Sequence, residues 1–250
     1  MTHSHHAPVR ELYVSADAAT ALLAEAEKLR CHTLDTRQAS ELTLLMNGGF
    51  APLRGYMTQA DFDAVGAGAV SPWPVPLALS VGDALARMVQ PGDDIALRDA
   101  DGGVLAVLSV TDAWGSPTLL GGKVKGLRRP ADDVSPNHLR ALFRDRGADR
   151  VLAVQAGHAD HVGAAAVLAR RLDALLMVQA LPGVAVTVPD AAVLVPLPVS
   201  PPPGAQASLW QGLLARNFGA THLMLTDPAA LLAYRAQGDH IGVAAVDGNL

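Results

Sequence analysis

The sequence has one cysteine, few aromatic residues and little charge, and each shortage excludes a class of protein. The single Cys31 excludes an internal disulfide framework and fits a reducing compartment. Only 17% of the 250 residues are charged and 4% are aromatic, whereas half are hydrophobic, which is typical of a globular protein. The net charge of −5 and the pI near 5.9 disfavour binding to nucleic acid or anionic lipid.

Long uninterrupted apolar segments are also missing. The N-terminus has no charged stretch followed by an apolar core, so no signal peptide is predicted. In residues 174–199 the only charge is Asp190, but four prolines interrupt the segment too often for a membrane-spanning helix. We therefore predict a cytoplasmic protein with no membrane and no nucleic-acid partner. The polar residues 1–6 predict a disordered terminus.

The first half of the sequence predicts two helices followed by a β-rich domain. Ser15 caps a helix that extends to about Leu29, and a second helix covers about residues 37–46. Between residues 73 and 127, short apolar segments alternate with turn signals such as Pro91-Gly92-Asp93. These segments predict strands at residues 77–81, 95–98, 104–110 and 123–127.

The second half alternates apolar strands with helices, which favours a parallel sheet. The predicted helices begin at Ser135 and near Val162, and cover residues 205–216 and 228–236. The predicted strands are residues 151–154, 175–178, 184–188, 222–225 and 241–246. The length fits two modest domains, which we place at residues 1–130 and 131–250.

The loop after the strand at residues 151–154 has the arrangement of an anion site without the usual charges. A strand, a short loop and a helix aim backbone N–H groups at an anion. The loop from Gln155 to His161 contains no Arg or Lys, and Asp160 is a negative charge where a phosphate would lie. We interpret Asp160 as the N-cap of the helix rather than as a catalytic group.

Several segments resemble ATP sulfurylase, also called sulfate adenylyltransferase. Residues 47–57 (NGGFAPLRGYM), 73–76 (WPVP) and 91–99 (PGDDIALRD) are similar to its PUA-like domain, and residues 216–222 (RNFGATH) resemble a segment of its catalytic domain. The resemblance implies an α/β fold, in which a β-rich PUA-like domain precedes a shortened Rossmann-like nucleotidyltransferase domain. It also implies a link to sulfate assimilation, because the family's enzymes make adenylyl sulfate and pyrophosphate from ATP and sulfate.

The resemblance also shows which catalytic motifs of the family are lost. In the motif Q-x-R-N-P-x-H-x-x-H, Gln155 matches the glutamine and His161 the first histidine, but the arginine falls on Gly157 and the last histidine on Ala164. Residues 226–231 (TDPAAL) replace the motif G-R-D-H-A-G. Without these cations the repulsion between ATP and sulfate is not offset. The resemblance therefore implies a vestigial nucleotide or anion site, formed by Gln155, His158, His161, Arg216, Asn217 and His222.

Three functions from different classes stay open. The first, which we favour, is a catalytically silent homologue that binds or regulates, as a homo-oligomer or with a sulfur-assimilation enzyme. The second is a divergent active sulfate adenylyltransferase, for which ATP and Mg²⁺ would be required; otherwise no cofactor is expected. The third is a metal or small-anion binder that uses His158, Asp160 and His161, joined by His222 if the strand ends meet. A structural role at the C-terminal end of a helix accounts for Arg216 and Asn217 as well as nucleotide binding does.

Overall fold

The computed structural model describes residues 5–69, 71–130, 134–204 and 206–249, and the chain divides into two compact units. One unit is Arg10–Asp133, and the other combines Met1–Val9 with Val134–Leu250. We call them the N-terminal unit and the C-terminal unit. None of the helices in the described ranges has the length and hydropathy needed to span a bilayer.

The N-terminal unit is β-rich, as predicted. Its six strands form one sheet in the order β1-β4-β5-β6-β2, with β3 also paired to β6. β1 and β4 are parallel, and the other pairs are antiparallel. In chain order the elements are α1 (Ala16–Ala26), β1 (Cys31–Thr33), α2 (Thr36–Met46), β2 (Gly55–Tyr56), α3 (Gln59–Gly66), β3 (Leu79–Val81), α4 (Asp83–Ala86), β4 (Asp94–Arg98), β5 (Val104–Trp114) and β6 (Thr118–Gly126).

Local capping sets the starts of the first two helices. Ser15 Oγ accepts a hydrogen bond from the Ala18 N–H at 3.4 Å, and Asp35 forms a capping box with Gln38 at the start of α2. The β5–β6 hairpin is longer than predicted because both strands continue up to a tight turn. Gly115 lies in that turn with φ of 81°, a conformation that favours glycine.

The C-terminal unit contains the predicted parallel sheet. Its five strands are all parallel and lie in the order β11-β10-β7-β8-β9. Helices alternate with most of the strands, as expected for an α/β fold. The elements are α5 (Pro136–Asp145), β7 (Val151–Ala156), α6 (Ala159–Leu172), β8 (Leu175–Ala180), β9 (Val193–Pro196), α7 (Ala207–Asn217), β10 (His222–Leu225), α8 (Pro228–Gln237), a 3₁₀ turn (Asp239–Ile241) and β11 (Ala244–Asp247).

Three of the predicted element positions in this unit are wrong. The third strand is Val193–Pro196 instead of residues 184–188, because Val186 and Val188 pack on the α6 core from a loop rather than pairing in the sheet. The last strand begins at Ala244, after a 3₁₀ turn that occupies the start of the predicted segment. α6 begins three residues before Val162, at Ala159.

Helices cover both faces of the parallel sheet. α6 packs on one face, where Leu152 and Val154 of β7 share a buried cluster with Ala165 and Leu168 of the helix. α7 and α8 lie on the opposite face, because right-handed crossovers change face when the chain reverses its direction across the sheet. The two helices are neighbours there, since Gly212 of α7 lies against the ring of Tyr234 in α8.

The start of the described chain is anchored to the C-terminal unit by Arg140 of α5. This buried guanidinium donates to the carbonyls of His5 and Ala7 at 2.7 Å each. It also donates to the carbonyls of Arg216 at 2.6 Å and Asn217 at 2.8 Å. The prediction of a disordered terminus is therefore wrong for residues 5 and 6, and residues 1–4 lie outside the described residues.

Candidate functional site

The parallel sheet has a carboxyl edge, where its strands end, and an amino edge, where they begin. The strand order reverses at β7, because the chain passes to β8 on one side and later returns through α7 to β10 on the other. Open parallel sheets bind ligands at the carboxyl edge beside such a reversal. The loops after β7 and after β10, residues 157–158 and 226–227, flank this point.

The loop after β7 leads directly into α6 without a side-chain cap. His158 is the N-cap residue, with extended backbone angles of −146° and 154°, and its side chain makes no capping hydrogen bond. Asp160 therefore is not the N-cap, which corrects the prediction. It lies exposed in the first turn, where the helix dipole still favours a negative charge.

The metal hypothesis gains no support from this loop. The rings of His158 and His161 are 5.7 Å apart, centroid to centroid, and meet edge to face. Within the described ranges no group of three or more His, Cys, Asp or Glu side chains is placed to hold a metal ion. His222, the fourth candidate, does not lie at this edge.

Gln155 is buried at the end of β7 beside a second glutamine. The residue is 9% exposed, and its Nε2 donates to Oε1 of Gln179 on β8 at 3.2 Å. The two residues occupy the same register of the parallel pair. The sequence prediction missed Gln179 because the predicted strand ended at Val178, although both glutamines follow the start of their strands by four residues.

Arg216 and Asn217 lie at the end of α7, at the amino edge. Arg140 donates to both of their carbonyls, which lie at the C-terminal end of the helix, and the Arg216 carbonyl also accepts from the Gly219 N–H at 2.9 Å. The Arg216 side chain in turn donates to Asn217 Oδ1, from Nη2 at 3.2 Å. Burial lowers the pKa of Arg140 to about 10, with the nearby Arg216 as the second cause, and burial also lowers the pKa of Arg216.

His222 also lies at the amino edge, at the first position of β10. It is paired with Leu152, so that Gln155 lies three residues, about 10 Å, further along β7. Thr221 Oγ1 lies 2.8 Å from His222 Nδ1 and accepts a hydrogen bond from the Val151 N–H at 2.9 Å. Burial lowers the pKa of His222, and Arg150 lowers it further.

The six candidate residues thus fall into two groups at opposite edges of the sheet. Gln155, His158 and His161 lie at the carboxyl edge beside the reversal point. The other three lie at the amino edge, where they belong to a network that holds the end of α7 and the start of β7. Arg140, which organises that network, was also missed. Its only sequence signal is a cation between apolar residues of an amphipathic helix.

The arginines of the C-terminal unit lie at the amino edge. Residues 134–250 contain no lysine. Seven of their arginines lie in or just after the last turn of a helix or directly before β7, and the guanidinium of Arg140 binds the end of α7. The full set is Arg140, Arg144, Arg146, Arg150, Arg170, Arg171, Arg216 and Arg235.

The carboxyl edge carries acidic residues instead. Asp160 lies in the first turn of α6, Asp227 caps α8 by accepting from the Ala229 N–H at 2.9 Å, and Asp247 ends β11. Across residues 134–204 and 206–249, no Arg or Lys lies at this edge. The edge offers amide, imidazole and carboxylate groups, which suit a neutral or cationic ligand better than a phosphate.

Comparison with known proteins gives matches across both units. A family model described as a PUA-like domain matches residues 2–125. A probable bifunctional SAT/APS kinase 2 from Sorangium cellulosum (strain So ce56) is 30% identical over 58% of this chain and 31% of its own length. A sulfate adenylyltransferase from Aspergillus terreus is 29% identical over 90% of this chain and 50% of its own length.

A solved structure extends the match to the fold. The hexameric APS kinase from Thiobacillus denitrificans superposes with a TM-score of 0.82 at 30% identity, covering 96% of this chain and 55% of that one. The chain therefore spans about half or less of the length of these proteins.

Fold and matches define a mixed α/β protein in which a PUA-like domain precedes a parallel-sheet domain of the nucleotide-binding class. Within that class, the chain belongs to an ATP sulfurylase-like family.

Proposed function

We propose that this protein is a non-catalytic ATP sulfurylase-like homologue with a binding or regulatory role in sulfate assimilation. The observation that carries the proposal is the charge of the carboxyl edge. Beside the reversal point the C-terminal unit presents Asp160 and Asp227, and its arginines lie at the far edge. Gln155 and His161, the two retained motif residues, supply an amide and an imidazole rather than fixed positive charge.

The magnitudes favour loss of catalysis. Two like charges about 4 Å apart repel by about 1 kcal/mol in water and about 4 kcal/mol at an effective dielectric constant of 20. Bringing sulfate to a polyphosphate creates several such pairs, and one preorganised donor typically contributes about 3 kcal/mol to the transition state. The residues present do not fit the phosphates of ATP, so no step of adenylyl transfer is assigned to them.

A pyrophosphate-release assay tests the proposal directly. With ATP, Mg²⁺ and sulfate in excess, we expect no release above the protein-free blank, while an active sulfate adenylyltransferase assayed in parallel gives clear release. Turnover that disappears in a Gln155→Ala variant would overturn the proposal, because it would place catalysis at this edge.

Restoring charge tests whether the anion-binding geometry has survived. Gly157→Arg combined with Ala164→His is sterically allowed: a Cβ at Gly157 meets only Leu181 Cδ1, at 3.8 Å, and Ala164 is exposed. We expect the double variant to bind ATP at least about tenfold more tightly, since a charge-assisted hydrogen bond supplies the required 1.4 kcal/mol or so. Val167→Arg, at an exposed position further along α6, is the matched control for added charge. Equal affinity in both variants would show that the geometry is lost.

The second candidate is an active sulfate adenylyltransferase whose missing cations come from another chain. Its support is the similarity to proteins named sulfate adenylyltransferase. In that case, pyrophosphate release per mole of protein rises with protein concentration as the second chain associates. Release that is absent at every concentration leaves the non-catalytic proposal in place.

We also propose that the chain self-associates, because the similar APS kinase structure is described as hexameric. Size-exclusion chromatography with light scattering is expected to give a multiple of the 25.9 kDa chain mass. A single mass of one chain across the accessible concentration range would contradict this part of the proposal.

A further inference from the structure

A pair of buried amides at the carboxyl edge has unused hydrogen-bonding groups. Gln155 and Gln179 are 9% and 0% exposed and share one hydrogen bond, from Gln155 Nε2 to Gln179 Oε1. The remaining polar atoms, Gln155 Oε1 and Gln179 Nε2, are also buried, and neither finds a partner in the part of the chain that the structure describes. One acceptor and one donor of the pair are therefore left over.

The pair projects to the face of the sheet that α7 covers. Val154 and Val178 belong to the cluster beneath α6, and because side chains alternate along a strand, Gln155 and Gln179 project to the opposite face. α7 begins at this edge, and its first turn contributes Ser208, whose Oγ is buried and equally without a partner among the described residues. Three unused polar groups thus share one edge and one face.

Such an arrangement is unfavourable in an unliganded protein. Buried polar groups without partners are destabilising, and native structures contain few of them. Rotating both amides by 180° reverses the hydrogen bond but again leaves one donor and one acceptor unused. Two methionine side chains would fill a similar volume without this penalty. A ligand that supplies the missing partners explains why two glutamines are present.

We propose that Gln155 and Gln179 bind an uncharged ligand group that presents a hydrogen-bond donor next to an acceptor, such as a carboxamide or the amino edge of adenine. The inference deepens the proposed function and rests on it, because a site that still served ATP and sulfate would require cations. The charged side chains that flank this edge are Asp160, Asp227 and Asp247. Their repulsion of anions selects a nucleoside or an amide over a nucleotide.

Calorimetric titration with two matched pairs of probes tests the proposal. Adenosine and AMP share a base and differ by a phosphate, and nicotinamide and nicotinate differ by an amide and a carboxylate. We expect saturable binding of at least one neutral probe below about 10 mM, and at least tenfold weaker binding of its charged counterpart. Gln155→Met combined with Gln179→Met abolishes the binding, and Gln237→Met, at an exposed position of α8, leaves it unchanged.

A stability measurement separates a binding site from a structural network. The thermal midpoint of the unliganded double methionine variant is expected to equal or exceed that of the unmodified protein, because the variant removes polar groups that lack partners. A clearly lower midpoint would assign the pair a structural role and overturn the proposal. So would the failure of both neutral probes to bind, or tighter binding of the charged members. Failure of the proposed function has a different readout, the release of pyrophosphate from ATP and sulfate.

Discussion

The two edges of the parallel sheet carry opposite charge, although they belong to the same unit. At the amino edge, arginines neutralise helix C-termini: Arg140 binds the last carbonyls of α7, and Arg150 Nη1 donates to the Leu172 carbonyl of α6 at 2.9 Å. At the carboxyl edge, Asp160 and Asp227 occupy helix N-termini. Both placements are those that helix dipoles favour. The difference teaches that helix stability accounts for these charges without any polyanionic ligand.

The largest expected effect comes from removing the centre of the amino-edge network. Arg140→Ala leaves four carbonyls without their charged donor, so we expect the free energy of unfolding to fall by about 3 kcal/mol in a denaturant titration. Arg144→Ala, on the exposed side of the same helix, should cost less than about 0.5 kcal/mol. Equal losses would show that Arg140 does not organise this edge.

Thr221 precedes β10 and Thr226 follows it, so substitutions at these two residues compare the amino edge and the carboxyl edge on the same strand. Thr221→Val keeps the shape of the side chain but leaves the Val151 N–H without its acceptor, so we expect a loss of about 1–2 kcal/mol. Thr226→Val, at the carboxyl end of β10, should change stability by less than about 0.5 kcal/mol. Unfolding monitored by circular dichroism compares the two variants, and a larger loss for Thr226→Val would contradict the comparison.

The amino edge should also respond to acid. Burial lowers the folded-state pKa of His222 below the unfolded value of 6.5, so the unfolded chain binds a proton first as the pH falls. Stability contributed by neutral His222 is therefore present above about pH 6.5 and is lost as the pH falls from there through the folded-state pKa. In denaturant titrations at a series of pH values, His222→Phe should reduce the pH dependence of the free energy of unfolding below about pH 6.5. His240→Phe, at an exposed position, should leave that dependence unchanged.

The smallest expected effect is at the carboxyl edge. Asp160→Ala removes a charge from the first turn of α6 and should cost about 0.5 kcal/mol at low ionic strength, and less in high salt, because the helix dipole is screened. Asp190→Ala, in a loop outside the helices, is the control. Increased stability of Asp160→Ala would mean that the carboxylate is retained against its local cost, as expected for a ligand-binding group.

Much of the C-terminal fold follows from its sequence because β7, β8 and β10 are apolar segments bounded by helix starts. Residues 184–188 misled the prediction, since a loop that packs on a core can show the same alternation of valines as a strand. The partner of Gln155 depends on the register of two parallel strands, which composition does not reveal.

The order of the predicted strands and helices is enough to predict that the candidate site residues lie at two different edges of the sheet. In a parallel sheet, residues before a strand lie at the amino edge and residues after it lie at the carboxyl edge. The segment that contains Arg216 and Asn217 precedes β10, so it belongs to the edge opposite His158. The buried role of Arg140 could not be foreseen, because its four acceptors come from two distant stretches of chain.

The order of residues along the sequence differs from the division of the chain into compact units. Two of the four carbonyls that Arg140 binds belong to His5 and Ala7, and the other two belong to residues more than two hundred positions later. A fragment starting at Val134 would therefore lack part of its own domain, and its guanidinium would have to find water or a substitute peptide. Supplying residues 1–9 as a separate peptide is the natural way to complete such a fragment.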